Sequence, residues 1–130
     1  MSNNKFSELA NAVAGVGHAD ITTARTSTVF ASVAKYRRLV GIGACATLAA
    51  GKKLTVQLMQ ATDAAGTGAK VLGTAKTGAA LEQEVMQDAN VSDMDIAGGF
   101  TFVAIKVQSD NGATHAGGGV VVMDMGRYSE

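Results

Sequence analysis

The sequence predicts an all-β protein, an antiparallel β-sandwich of jelly-roll-like form. Short apolar stretches recur along the chain with a period of two, as in "KLTVQLMQA" over residues 53–61. The segments between them are rich in Gly, Asp, Asn and Ser, the residues that turn a backbone. No regular alternation of strand and helix patterns runs through the chain, which argues against a doubly wound parallel sheet.

Composition supports a single packed domain. The 130 residues leave room for one core, and a chain of this length buries about two thirds of its unfolded surface. Hydrophobic residues make up 47% and charged residues 17%, the opposite of a disordered composition. With 16 Gly, many Ala and no Pro, the side chains suit a thin, closely packed sandwich or a surface that lies against another. The 11 basic and 11 acidic residues balance, whereas a protein that coats nucleic acid carries a basic excess, so no nucleic-acid partner is expected. Cys45 is the single cysteine and cannot form an internal disulfide. The N-terminus lacks the layout of a signal peptide, and no apolar run approaches the ~20 residues that span a bilayer. A soluble protein without a membrane partner is the expectation.

Taken in order, residues 1–17 read as an N-terminal helix or arm and residues 18–130 as the β-sandwich. From Asn4 to Ala14, Phe6, Leu9, Ala10 and Val13 fall on one helical face, with Asn4 as cap and Gly15 and Gly17 as the stop. So short a helix is marginal alone in water, so Phe6, Leu9 and Val13 are expected to dock on this domain or on a neighbour. "TSTVFASV" (26–33) reads as a strand with Val29, Ala31 and Val33 opposite Thr28, Phe30 and Ser32. "YRRLVGIGACAT" (36–47) sets Val40, Ile42 and Ala44 against Leu39, Gly41, Gly43 and Cys45. "AAGKK" (49–53) reads as a hairpin connection to the next strand, where Leu54, Val56 and Leu58 face in and Thr55, Gln57 and Met59 face out. "LEQEVMQ" (81–87), "FTFVAIKVQ" (100–108) and "GGVVVMDM" (118–125) complete six or seven strands. Glu82 and Glu84 share a face with Met86 and mark a solvated edge.

Catalytic chemistry is hard to assemble from these residues. "QATDAAGTGAK" (60–70) looks like a phosphate-cradling loop, but Gly66 and Gly68 lie two apart, no Gly precedes Lys70, and Val71 stands where a hydroxyl would hold magnesium. It reads as a turn built on Asp63 and the glycines. His18 and His115 lie beside glycines in expected surface loops, without the paired spacing of a zinc site even with Asp20 or Asp110 nearby. "DANVSDMD" does not match a calcium loop, Cys45 has no evident activating charge, and no G-x-S-x-G elbow occurs. No enzyme, cofactor or metal site is expected. The residues singled out are instead interaction candidates: the basic cluster Tyr36, Arg37 and Arg38, read as a protein contact, and the outward Met59 beside the two-sided "FTFVAIKV".

Three stretches, "YRRLVGIGACA", "LTVQLMQATDAAGTGAKVLGTA" and "VVVMDMGRYSE", resemble a group of small virion proteins of tailed bacteriophages, and the opening "FSELANAVAG" is also similar. The resemblance covers most of the chain. It implies a β-sandwich head protein of the decoration or cement type, bound to a major capsid protein on the outside of the capsid, often as a homotrimer, within a virion assembled in bacterial cytoplasm. It brings no catalytic residues. A tail or neck component is the alternative within that class. A ligand-binding β-sandwich, such as a carbohydrate module, is the alternative outside it, disfavoured because the chain has no Trp and only Tyr36 and Tyr128 as tyrosines.

The failed spacing around Lys70 carries a direct expectation. Titrating the protein with ATP and magnesium produces no saturable heat, and a binding isotherm abolished by Lys70→Ala would contradict it.

Overall fold

The computed structural model describes residues 10–34, 36–111 and 114–124, with the side chains of 10–14 and 18 outside that description. The strands are β1 (Ala10–Asp20), β2 (Arg25–Thr26), β3 (Ala31–Ser32), β4 (Arg38–Cys45), β5 (Leu54–Ala61), β6 (Lys70–Thr77), β7 (Glu84–Asn90), β8 (Phe102–Ser109) and β9 (Ala116–Asp124). One sheet has the order β1-β9-β4-β7; the other runs β2-β8-β5-β6, with β3 also paired to β8. Every pairing is antiparallel. Because β2 and β3 pair with successive parts of β8, they fill one strand position between them, and each sheet then holds four positions. Two four-strand sheets joined by crossings between them form a jelly roll, as the sequence predicts.

The two sheets feed the core unequally. From β5 and β8 come Leu54, Val56, Leu58, Val103, Ile105 and Val107, all fully buried. The facing sheet contributes Leu39, Val85, Val121 and Met123, with glycines at several of its other inward positions. Gly43 of β4 pairs with Gly119 of β9, so two residues without side chains lie together on the inner face. A Cβ on Gly43 would overlap Val56 Cγ2, and one on Gly119 would sit 2.9 Å from Val107 Cγ1. The valines of one sheet fill the dent left by the glycines of the other, which draws the layers together.

Where the β5–β6 ladder shifts register between Val56 and Leu58, two glutamines satisfy the displaced backbone. Gln87 Oε1 accepts from the Leu58 amide at 2.6 Å while its Nε2 donates to Leu72 O at 3.0 Å. Gln57 Nε2 donates to Leu58 O and Leu72 O. Gln57 was expected to face solvent; it is buried because these carbonyls need its donors.

Several expectations change. Residues 10–14, expected in a helix, lie in β1, where pairing with β9 satisfies the backbone and overrides the helical spacing of the apolar residues. Gly15 and Gly17 stand inside that strand rather than ending a helix, and β1 runs across the boundary expected after Gly17. Residues 1–9, with Phe6 and Leu9, lie outside the described residues. The strand expected over 26–33 is broken between β2 and β3, where the Ser27 hydroxyl donates to Val29 O at 2.7 Å. The break buries Phe30 over the outer side of the β5–β8 pair and leaves Val29 57% exposed, so a single alternation does not run through 26–33. "AAGKK" joins strands of different sheets, so it is a crossing and not a hairpin. β6 is a strand beyond those expected; its residues are mostly exposed and carry no apolar alternation.

The glycine dent sets a stability test. Gly43→Val costs ~1–3 kcal/mol through overpacking against Val56. Gly17→Ala, whose added carbon meets no atom within 4 Å, stays within about 0.5 kcal/mol of the parent. Denaturant midpoints of the two variants check both.

Candidate functional site

The β1-β9-β4-β7 sheet turns an apolar surface outward. Alternation along β4 buries Leu39, Gly41 and Gly43 and points Val40, Ile42 and Ala44 away from the core. The register sets Ile42 between Met86 of β7 and Val120 of β9, and Val40 between Asp88 and Val122. An antiparallel sheet with one face in water normally carries polar residues there. Here Val40, Ile42, Val120 and Val122 shield one another to intermediate burial, and Met86 at the margin is 50% exposed. Arg38, Glu84 and Asp88 are exposed around this centre. Toward the far end of β9 the surface dips into a trough of about 570 Å³ lined by Ile42, Ala44, Cys45, Gly118 and Val120.

The opposite sheet closes its own outer patch. Met59 pairs with Ala104 across β5 and β8, and both belong to a cluster with Phe30, Ala61 and Phe102. Phe30 is held over it by its amide, which donates to Ala64 O at 2.9 Å. The 60–70 turn is what holds Phe30 in place, and it is tied by Asp63, whose Oδ1 accepts from the Ala65 and Thr67 amides and whose Oδ2 accepts from the Thr67 hydroxyl at 2.6 Å. Gly66 and Gly68 both have positive φ there, as a tight turn requires. Met59 and the apolar side of β8 were expected to be free for a partner. They are partly or fully covered by Phe30, which a distant loop supplies.

Tyr36, Arg37 and Arg38 gather at one end of the sandwich. Arg37 is fixed by its backbone, with its amide donating to Asp124 O and its carbonyl accepting from the Val91 amide. The three residues line a cavity of about 560 Å³ with Asn90, Val91 and Ile96, the last 44% exposed. The structure thus groups the basic cluster with an apolar side chain that the sequence did not single out, and sets Met59 in the other sheet. Val13 lies in β1 with its side chain outside the described residues, and Phe6 and Leu9 lie beyond them. Val40, Ile42, Met86, Val120 and Val122 are not among the interaction candidates expected from the sequence. Their signal was present in "LVGIGA" and "GGVVVM", where apolar residues occupy both strand faces.

His115, expected on a surface loop, is buried. Its Nε2 donates to Ala46 O at 2.8 Å, and its Nδ1 is hydrogen-bonded to the Ser109 hydroxyl at 2.8 Å. Its backbone amide donates to Asp20 Oδ1 at 3.1 Å. The ring ties the end of β8 to the segment after β4, a contact between residues distant in sequence. Cys45 is half-buried against the core, and burial pushes its thiol up from the ordinary value. Among the described residues no three His, Cys, Asp or Glu side chains gather as a metal site, and no helix is long and apolar enough to cross a membrane.

Three carboxylates are held below the usual Asp range by local donors. Asp20 accepts first from the Thr22 amide and then from that of His115. Asp63 accepts from the Thr67 hydroxyl and amide. Asp95 pairs with Lys70 at 2.8 Å and accepts from the Gly98 amide. The Lys70 ammonium also lies 4.1 Å from the Phe100 ring centre.

No family model and no curated protein matches this chain. Among solved structures it is similar to a chain of Broad bean stain virus, at 15% identity and a TM-score of 0.40 over 82% of this chain and 59% of that one. It is also similar to a chain of the infectious bursal disease virus Gx strain, at 10% identity and a TM-score of 0.42 over 92% of this chain and 33% of that one. The chain therefore spans less than two thirds of either.

These three carboxylates add to the acid dependence of the fold's stability. Their folded pKa values lie below the ordinary 3.8, so their stabilisation is complete above that pH and is lost as pH falls through the depressed values. Unfolding midpoints are flat in this respect above about pH 5 and decline below about pH 4. Asp20→Asn shows a shallower acid decline than the parent.

Proposed function

We propose that this chain is a structural virion protein, a decoration or cement subunit that binds the outer surface of an assembled phage head and stabilises it. The observation that carries the reading is the apolar outer face of Val40, Ile42, Val120 and Val122 on a sandwich whose other outer patch is closed by Phe30. A contiguous apolar surface with a charged margin, on a fold that covers its comparable patch, is a surface built for contact. The sequence resemblance to small phage virion proteins supplies the partner class: a major capsid protein, met by this face. Arg37 and Arg38 at the sandwich end add charge that orients the docking.

The subunit acts by mass action. It binds the assembled shell in preference to free capsid subunits, and each occupied site shifts the balance toward the intact particle. The apolar centre makes the interaction less dependent on salt than charge pairing would be. Self-association belongs to the same reading. In this reading the association is threefold, as the resemblance implies.

The test is to prepare heads without this protein and add it back. Heads lacking it form but break sooner on heating, and saturating addition restores their resistance. Ile42→Asp, placed at the centre of the face, weakens head binding at least tenfold. A protein that ignores heads and is recovered in purified tails overturns this reading in favour of a tail component.

A further inference from the structure

Two segments of the sequence share one pattern: a basic residue, an aromatic residue, serine and glutamate. It reads Lys5, Phe6, Ser7, Glu8 in one and Arg127, Tyr128, Ser129, Glu130 in the other. Both segments lie outside the described residues, but the points where the chain leaves for them are described. Ala10 pairs with Asp124, Asp124 with Arg38, and Arg38 with Asn90. Both departures therefore fall at one end of the β1-β9-β4-β7 sheet.

That end holds the cavity of about 560 Å³ lined by Tyr36, Arg37, Arg38, Asn90, Val91 and Ile96. Its chemistry is divided. Half-buried Tyr36 and Val91 and the 44% exposed Ile96 form an apolar wall, and the exposed Arg37 and Arg38 form a cationic one. Among the described residues neither guanidinium has an ion-pair partner. An aromatic ring with a carboxylate close to it matches both walls, since the ring removes apolar surface from water and the carboxylate accepts from a guanidinium.

We propose that Tyr128 and Glu130 of the same chain occupy this cavity, the ring against Ile96 and Val91 and the carboxylate on the arginine pair. Residues two apart share one side of an extended chain, so ring and carboxylate enter together while Arg127 is turned away from Arg37 and Arg38. Reach selects this copy of the pattern. The Arg37 amide holds Asp124 O at 2.9 Å, so the chain leaves for residue 125 at the cavity wall. Tyr128 is four residues beyond Asp124 and reaches up to ~14 Å. Ala10 lies two strands from β4, roughly 10 Å away, and Glu8 at two residues from Ala10 reaches only ~7 Å. So small a contact suffices because it is tethered: a short linker keeps the segment at an effective concentration on the order of mM. The contact covers Ile96 within a single copy and stands apart from head binding. An acidic group of a capsid partner then reaches Arg37 by displacing Glu130.

The experiment is solution NMR on the full chain at low concentration, without capsid. The expected result is a set of NOEs between the Tyr128 ring and the Ile96 methyl groups. Tyr128→Phe keeps the ring contact, and Glu130→Lys lowers its NOE intensity at least twofold; neither change touches a described residue. The free peptide acetyl-Arg-Tyr-Ser-Glu-amide binds the Tyr128→Ala variant at least fivefold tighter than the parent, because the parent's own segment competes. Equal peptide binding to the two chains overturns the proposal. So do NOEs from Phe6 to Ile96 in place of Tyr128, NOEs found only between labelled and unlabelled copies, or an Ile96 side chain in contact with neither segment.

Discussion

The packing of Val56 and Val107 into the dent left by the Gly43–Gly119 pair is the contact on which the rest of the structure depends. A side chain at either glycine would push the sheets apart, and the large residues of β5 and β8 would lose their partners. Close approach lets one sheet supply most of the apolar volume while the other supplies a fitted surface. The main core cluster is accordingly built from Val, Leu, Ile and Met, with no aromatic residue among its buried members.

That division of labour frees the outer side of the glycine-bearing sheet. Its inward positions on β4 are taken by Leu39, Gly41 and Gly43, and the intervening positions carry Val40, Ile42 and Ala44 into solvent. The other sheet also has apolar residues on its outer side, yet Phe30 and the Asp63 turn cover them. The difference between the two faces is one loop. It converts similar strand patterns into a closed patch on one side and an open one on the other, and the proposed head contact uses the open one.

Polar groups in the interior serve the same architecture. Gln57 and Gln87 supply donors and an acceptor where the β5–β6 ladder slips, and His115 closes a gap between Ser109 and Ala46. Among the described residues, every buried side-chain nitrogen and oxygen has a hydrogen-bond partner. Buried amides and an imidazole are costly when unpaired, so these side chains help specify which strands meet and in which register.

Much of this was legible in the sequence. The period-two pattern of "LTVQLMQ" placed Leu54, Val56 and Leu58 in the core, and the failed spacing around Lys70 identified residues 60–70 as a turn. Both follow from local geometry, because alternation and turn chemistry act between near neighbours. Residues 10–14 were misread because their apolar spacing fits a helix, and only the β9 ladder, more than a hundred residues away, makes them a strand. His115 and Gln57 are buried for the same reason: the groups they bond come from other strands and loops. By itself the sequence determined the class of fold, the turns and the absence of a standard phosphate loop. Only the tertiary structure decided which apolar face stays open among the described residues, because exposure depends on what the rest of the chain brings against each strand.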